Sequence, residues 1–432
     1  MRVLVIGSGG REHAILWALR RTSTVHLDLY CAPGNGGISQ LAECVPIAPS
    51  DHLAMIEFAR SNRIDLTIVG PEGPLAEGIV DRFTTSGLRI MGPTRDAARL
   101  ESSKGFAKEF MRRHKIPTAD YCVVTSADEA IGVVRSGRFG PADAAVVVKA
   151  DGLAAGKGVI VAPSCAAAED AVKELTTGTL VSSEAVGQIL LEEALEGREV
   201  SVLLFSDGRD YALMPPARDH KRIGENDTGP NTGGMGAITD ASVLDSETHA
   251  RIVSEVVEPT LRGAAQEGFA FRGILFIGLM LTADGPKVLE YNVRFGDPEI
   301  QAILMRLKSD LFAVFQSVVD GTLRNIDVEW SDQSSACVVL ASAGYPGAYR
   351  TGFPISGLGS LAASRDDLQV FHAGTSKSDG DPMLTAGGRV LGVTAVGPTL
   401  EQALETCYQA IEPIHWEGMQ YRRDIGQFNE VR

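Results

Sequence analysis

Over the first hundred residues, short apolar runs alternate with helix-like stretches. Val3 to Ile6 and His26 to Tyr30 read as strands around a helix from Arg11 to Arg21. Asp65 to Val69 and Arg89 to Met91 read as strands interleaved with helices at Asp51 to Ser61 and Leu75 to Thr84. This alternation predicts βαβ units and an open parallel sheet. Glycine-bearing turns follow the strands at Gly7-Ser8-Gly9-Gly10, at Pro33 to Gly37 and at Gly70 to Gly73. Those carboxyl ends are where such sheets keep their ligand crevice.

The pattern changes near residue 100. A helix is expected from Ser102 to His114, stopping before Ile116-Pro117 because proline holds the preceding residue out of helical conformation. From Tyr121 to Glu193 the order is strand, helix, strand (Ala145 to Ala150), glycine-rich turn, strand (Val159 to Val161), helix, strand (Gln188 to Glu192), a small α+β lobe. Glu199 to Phe205 and Phe271 to Val293 are strand-rich and flank a helix from Asp245 to Glu267, predicting a second lobe that faces the first. Beyond Ser331, strands at Ala336 to Ser342 and Arg389 to Val396 with a helix at Leu400 to Ile411 predict a smaller α/β domain. The chain is therefore read as α/β and α+β, with domains 1–100, 101–330 (lid lobe about 121–191) and 331–432.

Composition narrows the function. A formal net charge of −15 argues against nucleic acid as a partner, since phosphate contacts call for a basic face. The six cysteines are scattered without metal-site spacing and fit a reducing cytosol. No signal peptide is expected at the N-terminus, and no apolar run reaches the roughly 18 to 20 residues that a membrane span needs. A cytoplasmic, unanchored protein is expected.

Gly7-Ser8-Gly9-Gly10-Arg11-Glu12 follows a strand and opens a helix, like a dinucleotide fingerprint. Glu12, however, stands where the third glycine belongs, and no acid ends the second strand at Cys31-Ala32. A nicotinamide cofactor is disfavoured; backbone amides at the helix start suit a single phosphate. The segment Lys149 to Gly158 is one residue short of a P-loop, and Gly158 replaces the metal-binding hydroxyl residue. It reads instead as a flap whose amides at Gly152, Gly156 and Gly158 fold over phosphates, with charge from Lys157. Lys149 ends an apolar strand and needs a partner or a ligand. Glu192 to Glu199 joins the two lobes, offering backbone to an adenine edge and Glu199 to ribose. Strand alternation puts Glu290, Asn292 and Arg294 on one face, two hard oxygen ligands followed by a cation. Arg218 to Arg222 and Asp227 to Gly236 fit no periodic structure and read as a long functional loop.

Taken in order, these elements resemble the ATP-grasp superfamily. GGREHA (Gly9 to Ala14), KADGLAAGKGV (Lys149 to Val159), DHKR (Asp219 to Arg222), DTGPNTGGMGA (Asp227 to Ala237) and NVRFGDPE (Asn292 to Glu299) together resemble the phosphoribosylamine–glycine ligases, over essentially the whole chain. The resemblance implies ligation of glycine to 5-phosphoribosylamine with ATP, through glycyl phosphate, in purine synthesis. It implies ATP contacts at Lys104, Lys149, Gly152, Gly156, Lys157, Gly158, Glu192, Glu193, Leu195 and Glu199. Mg²⁺ or Mn²⁺ would lie at Glu290 and Asn292, and substrate contacts at Gly9, Gly10, Asn35, Glu72, Asp219, Arg294 and Asp297. Catalysis would fall to Arg294, Asp219 and Lys149. A monomer or dimer is expected. One departure stands out: Gly273 to Leu281, the strand before Glu290, contains no acid to complete a second metal site. A related ATP-grasp carboxylase, which does not account for the DHKR and DTGPNTGGMGA strings, and a nucleotide sensor that binds ATP without turnover remain as alternatives.

Overall fold

The alternating pattern of the first hundred residues folds as expected. The chain runs β1 (Arg2–Gly7), α1 (Gly10–Thr22), β2 (Asp28–Pro33), β3 (Glu43–Cys44), α2 (His52–Ser61), β4 (Leu66–Val69), α3 (Glu72–Ala76), α4 (Ile79–Thr85) and β5 (Ile90–Met91). The strands form one parallel sheet in the order β3-β2-β1-β4-β5. The order reverses at β1, so its carboxyl end, with Gly9 and Gly10, lies at the crevice. The helix expected over Leu75 to Thr84 is two helices, because Gly78 takes the left-handed conformation (φ 83°) that starts α4 in a new direction. This computed structural model describes residues 1–153, 158–176, 188–361, 365–377 and 381–428.

Two further helices follow, α5 (Arg95–Ser102) and α6 (Lys104–Arg113). Ser103 separates them: its backbone is extended and its hydroxyl accepts from the Phe106 amide, capping α6. The lid lobe contains β6 (Tyr121–Val124), α7 (Ala127–Arg135), β7 (Val146–Ala150), β8 (Val159–Ala162), α8 (Cys165–Thr176) and β9 (Ile189–Glu193). Its antiparallel sheet has the order β6-β9-β7-β8. The lobe has an apolar core of its own, built from Val124, Ala130, Val146, Val148, Val172 and Leu191 among others.

The larger lobe begins with β10 (Arg198–Asp207) and β11 (Tyr211–Leu213). The segment read as an irregular loop then forms four short strands, β12 (Arg218–Asp219), β13 (Arg222–Gly224), β14 (Thr228–Asn231) and β15 (Gly236–Thr239). Strands β13 and β14 make a two-stranded ribbon, a long-range pairing that local periodicity does not reveal. Helices α9 (Ser246–Ile252) and α10 (Glu258–Gln266), joined by a π-helical turn, realise the helix expected at Asp245 to Glu267. After them come β16 (Arg272–Thr282), β17 (Gly285–Asn292), α11 (Glu299–Met305) and α12 (Leu311–Asp320). The sheet order is β11-β10-β16-β17.

The last part holds β18 (Ser334–Ala341), β19 (Leu368–His372), the pair β20 (Thr375–Ser376) and β21 (Leu384–Thr385), β22 (Arg389–Gly397) and α13 (Leu400–Ile411). Its main sheet, β12-β15-β18-β22-β19, takes two strands from before residue 331.

Asn35 was expected to touch substrate, but its amide is fully used within the protein. It donates to the carbonyls of Ser8 (2.8 Å), His372 (2.8 Å) and Ala373 (3.1 Å), and its oxygen accepts from the amides of Gly37 and Ile38 (both 2.9 Å). No donor or acceptor is left for a ligand, so the side chain clips the N-terminal turn to the C-terminal sheet. Asn35→Ala is expected to lower unfolding free energy by about 1–3 kcal/mol in denaturant titrations while nucleotide affinity stays unchanged.

Candidate functional site

The glycine-rich flap is tied down at its first residue. Asp151 accepts from the Lys104 amide (2.5 Å), the Gly152 amide (3.0 Å) and the Ser103 hydroxyl (3.1 Å), placing a carboxylate on the N-terminus of α6. Lys104 Nζ donates to the Gly152 carbonyl at 2.7 Å, so the cation sits beneath the flap. The Gly158 carbonyl accepts from Ala150 where the flap re-enters the sheet. Gly156 and Lys157 lie outside the described residues.

Lys149 finds the partner its apolar strand demanded. Its ammonium is 2.7 Å from Glu192 Oε1, an ion pair without hydrogen-bond alignment, while Lys108 donates to Glu192 Oε2 at 3.0 Å. All three groups are buried. Burial lowers the Lys108 pKa to about 8, with Glu192 opposing the fall. The Glu192 carboxylate thus fixes two lysines, while Glu193 accepts from the Asp120 amide at 3.0 Å and pairs with Lys287 at 3.5 Å. Leu195 follows, half-buried, on the connection to β10.

Across from Lys149, β17 is bulged. Glu290 pairs with Gly278 but Val288 pairs with Leu279, leaving Leu289 as the extra residue. Its carbonyl lies 3.5 Å from Lys149 Nζ. The bulge leaves Leu289 and Glu290 both partly exposed between the buried Val288 and Tyr291. Glu290 then faces Lys221, Lys149, Lys104 and Arg294; burial would raise its pKa, but these cations outweigh burial and hold it below the ordinary carboxylate value. Asn292 Oδ1 accepts from Arg294 Nη2 at 3.0 Å. Arg294 also lies 2.9 Å from Glu101 and 3.2 Å from Glu72, and these carboxylates overcome burial to raise its pKa. Glu101 in turn accepts from the Val293 amide at 2.7 Å.

The third side of the site comes from β12. Lys221 is 2.6 Å from Glu199, and Glu199, Asp219 and Glu290 outweigh burial to raise its pKa. Asp219 is raised to about 6, by burial first, with Lys221 opposing. Glu299 at the start of α11 is raised to about 8, by burial and then by the Asp219 charge. The N-terminal turn completes the ring. A side chain on Gly10 would strike Gln301, and Asp297, 2.6 Å from Gln301 and 2.9 Å from Arg389, lies next to it. The Gly9 amide, one of those expected to face a phosphate, instead donates to the buried Glu12 carboxylate at 2.6 Å.

Residues 1–101, 102–300 and 335–428 match the N, ATP-grasp (A) and C domains of phosphoribosylglycinamide synthetase. A phosphoribosylamine–glycine ligase of Vibrio cholerae is 48% identical over 99% of this chain and 98% of its own length. The chain belongs to the phosphoribosylamine–glycine ligase family. The Thermotoga maritima phosphoribosylamine–glycine ligase structure superposes with a TM-score of 0.82 at 33% identity, covering 98% of this chain and all of that one. A biotin carboxylase from Campylobacter jejuni shares the fold at a TM-score of 0.73 and 15% identity, covering 98% of this chain and 93% of that one. As a ligase of this family the protein is an ATP-dependent enzyme with an ATP-grasp fold.

For this ligase, the structure adds Glu101, Lys108, Lys221, Glu299 and Arg389 to the site residues expected from sequence. Lys221 and Glu299 lie inside the family strings; the other three have no local signature and are recruited by packing. Glu299 yields a prediction. Its raised pKa means that the folded protein keeps a proton which the unfolded chain releases. The stabilisation is present below about pH 4.5 and lost as pH rises through about 8. Glu299→Gln is expected to remove this slope, gaining on the order of 3–4 kcal/mol over the parent between about pH 5 and pH 8. Parallel denaturant titrations across that range check it, and identical slopes would refute it.

Proposed function

We propose that this enzyme joins glycine to 5-phosphoribosylamine at the expense of ATP, with the nucleotide between the β6–β9 and β10–β17 sheets. The observation that carries the reading is the convergence of Lys104, Lys149, Lys221 and Arg294 on Glu290. These cations, three of them held in place by carboxylates behind them (Glu192 for Lys149, Glu199 for Lys221, Glu101 and Glu72 for Arg294), form a preorganised set of donors suited to a triphosphate and a substrate carboxylate. Lys104 and Lys149 hold ATP phosphates under the Gly152 to Gly158 flap, the backbone from Glu192 to Leu195 meets adenine, and Glu199 takes ribose. The first hundred residues bind phosphoribosylamine through the turns at Gly9, Gly10 and Glu72, beside Asp297. Residues 101–330 bind ATP and glycine, and residues 331–432 close the far side.

The donor set suits Mg²⁺ or Mn²⁺. Glu290 is ionised, Asn292 supplies an amide oxygen, and no cluster of three or more carboxylate, histidine or cysteine ligands exists among the described residues. One carboxylate and one carbonyl beside substrate phosphates is the usual protein share of a magnesium site. When bound, the ion would neutralise charge on the β- and γ-phosphate oxygens. The protein's own groups do the rest. Arg294 orients the glycine carboxylate toward the γ-phosphorus, Asp219 holds the glycine ammonium, and Lys149 and Arg294 stabilise charge as the carboxylate oxygen bonds to that phosphorus. The bond to the β,γ-bridging oxygen breaks, and ADP leaves glycyl phosphate behind. The ribosylamine nitrogen then attacks the acyl carbon, and inorganic phosphate leaves.

No described helix is long and apolar enough to cross a membrane, and all six cysteines are free thiols. Both fit the reading of a cytoplasmic enzyme; a monomer or dimer acting on small molecules, without nucleic acid, remains the expectation from sequence. The deciding assay follows ADP release and glycinamide ribonucleotide formation with ATP, glycine and phosphoribosylamine, omitting each in turn. Turnover that needs all three is expected; ADP release indifferent to glycine would overturn the assignment.

A further inference from the structure

Asp219 ends the two-residue strand β12, and Lys221 follows two residues beyond it on the same extended segment. Strand β12 pairs with β15 at Arg218 with Ile238 and Asp219 with Ala237, the His220 amide donates to the Gly236 carbonyl at 2.9 Å, and Ala217 bridges to Ser201 of β10. Backbone alternation turns Asp219 and Lys221 to one side and Arg218 and His220 to the other. That second side is filled by the C-terminal segment. Phe428 stacks on the His220 imidazole, with centroids 4.2 Å apart and planes 12° from parallel, while the Arg218 guanidinium carbon lies 3.5 Å from the Phe428 centroid. Groups this close cannot share one face of the ring. Side chains two apart on a strand are about 6.8 Å apart, room for one aromatic ring between them. Phe428 is therefore a wedge between the residues that flank Asp219.

The same segment grips the neighbouring ribbon. Arg422, almost wholly buried, donates to Asp227 Oδ1 (2.7 Å) and the Arg222 carbonyl (3.0 Å). Asp424 accepts from the Asn226 amide at 2.8 Å, and the Gly426 amide donates to His220 Nε2 at 2.9 Å. That last bond leaves the His220 proton on Nδ1. The geometry points to a positioning role: residues Tyr421 to Phe428 set the reach of Asp219 into the site, with Phe428 as the wedge between its two neighbours. The proposal rests on the reading of Asp219 as the group that holds the glycine ammonium.

The test compares Phe428→Ala, Phe428→Tyr and Asp219→Asn in the full-length enzyme, measuring KM for glycine and for ATP, kcat, and the His220 tautomer by ¹⁵N NMR. Phe428→Ala is expected to raise the glycine KM about tenfold or more with little change in the ATP KM, as misplacement of a binding group does. It is also expected to lose the Nδ1–H signature of His220, while Phe428→Tyr, which keeps the ring, restores both. Unchanged kinetics in Phe428→Ala, or glycine and ATP KM values that rise together, would overturn the wedge. If Phe428→Ala is silent while Asp219→Asn is defective toward glycine, only the wedge falls. If Asp219→Asn leaves the glycine KM unchanged, the role given to Asp219 falls with the proposal built on it.

Discussion

Arg294→Met should lower kcat by about 10²–10³-fold, the usual cost of removing one preorganised group that faces developing charge. It should also cost about 3–5 kcal/mol of stability, because Glu101, buried and accepting from Val293, loses the cation that compensates it. The two losses are separable. Burial already raises the Glu101 pKa, so adding Glu101→Gln should return much of the stability while leaving turnover low. Denaturant unfolding beside ADP-release kinetics reads both effects. A double variant that regained activity would show that Arg294 serves only to neutralise Glu101.

The second large effect is at Glu290. Glu290→Gln keeps the shape but removes the one charge that Lys104, Lys149, Lys221 and Arg294 share. Turnover is expected to fall on the order of 10³-fold, since the proposed metal ligand and the centre of the charge arrangement go together. ATP without divalent metal should bind at least as tightly as to the parent, because net positive charge in the site increases. The metal concentration for half-maximal residual turnover should shift upward. Metal titrations of the assay, with nucleotide binding followed in chelator, test this; an unchanged metal requirement would remove Glu290 from the ligand set.

Much of this arrangement was legible in the sequence because it depends on short-range pattern. Lys149 stood out as a cation ending an apolar strand, and Glu290, Asn292 and Arg294 as polar residues on one face of another. The structure brings them together with Lys104 and Asp219. A polar group in a turn, side chain or backbone, need not face outward. Asn35 and the Gly9 amide sit in the expected turns, but their hydrogen bonds are consumed inside the protein by Ser8, His372 and Glu12. A turn motif says where polar groups are, not which neighbour claims them.

The sequence by itself determined the parallel N-terminal sheet, the lid lobe, α13 and the strand that carries Glu290 and Asn292. Each follows from periodicity, capping or a run of residues adjacent in the chain. Only the tertiary structure decided that Glu101 and Glu72 hold Arg294 and that Glu192 binds two lysines at once. It likewise decided that residues 218–239 supply strands to the C-terminal sheet and that Phe428 stacks on His220 and the Arg218 cation. The physical reason is common to all four. A buried charge or an unpaired strand edge must find a partner wherever the fold offers one, and the partner's distance along the chain leaves no mark on local pattern.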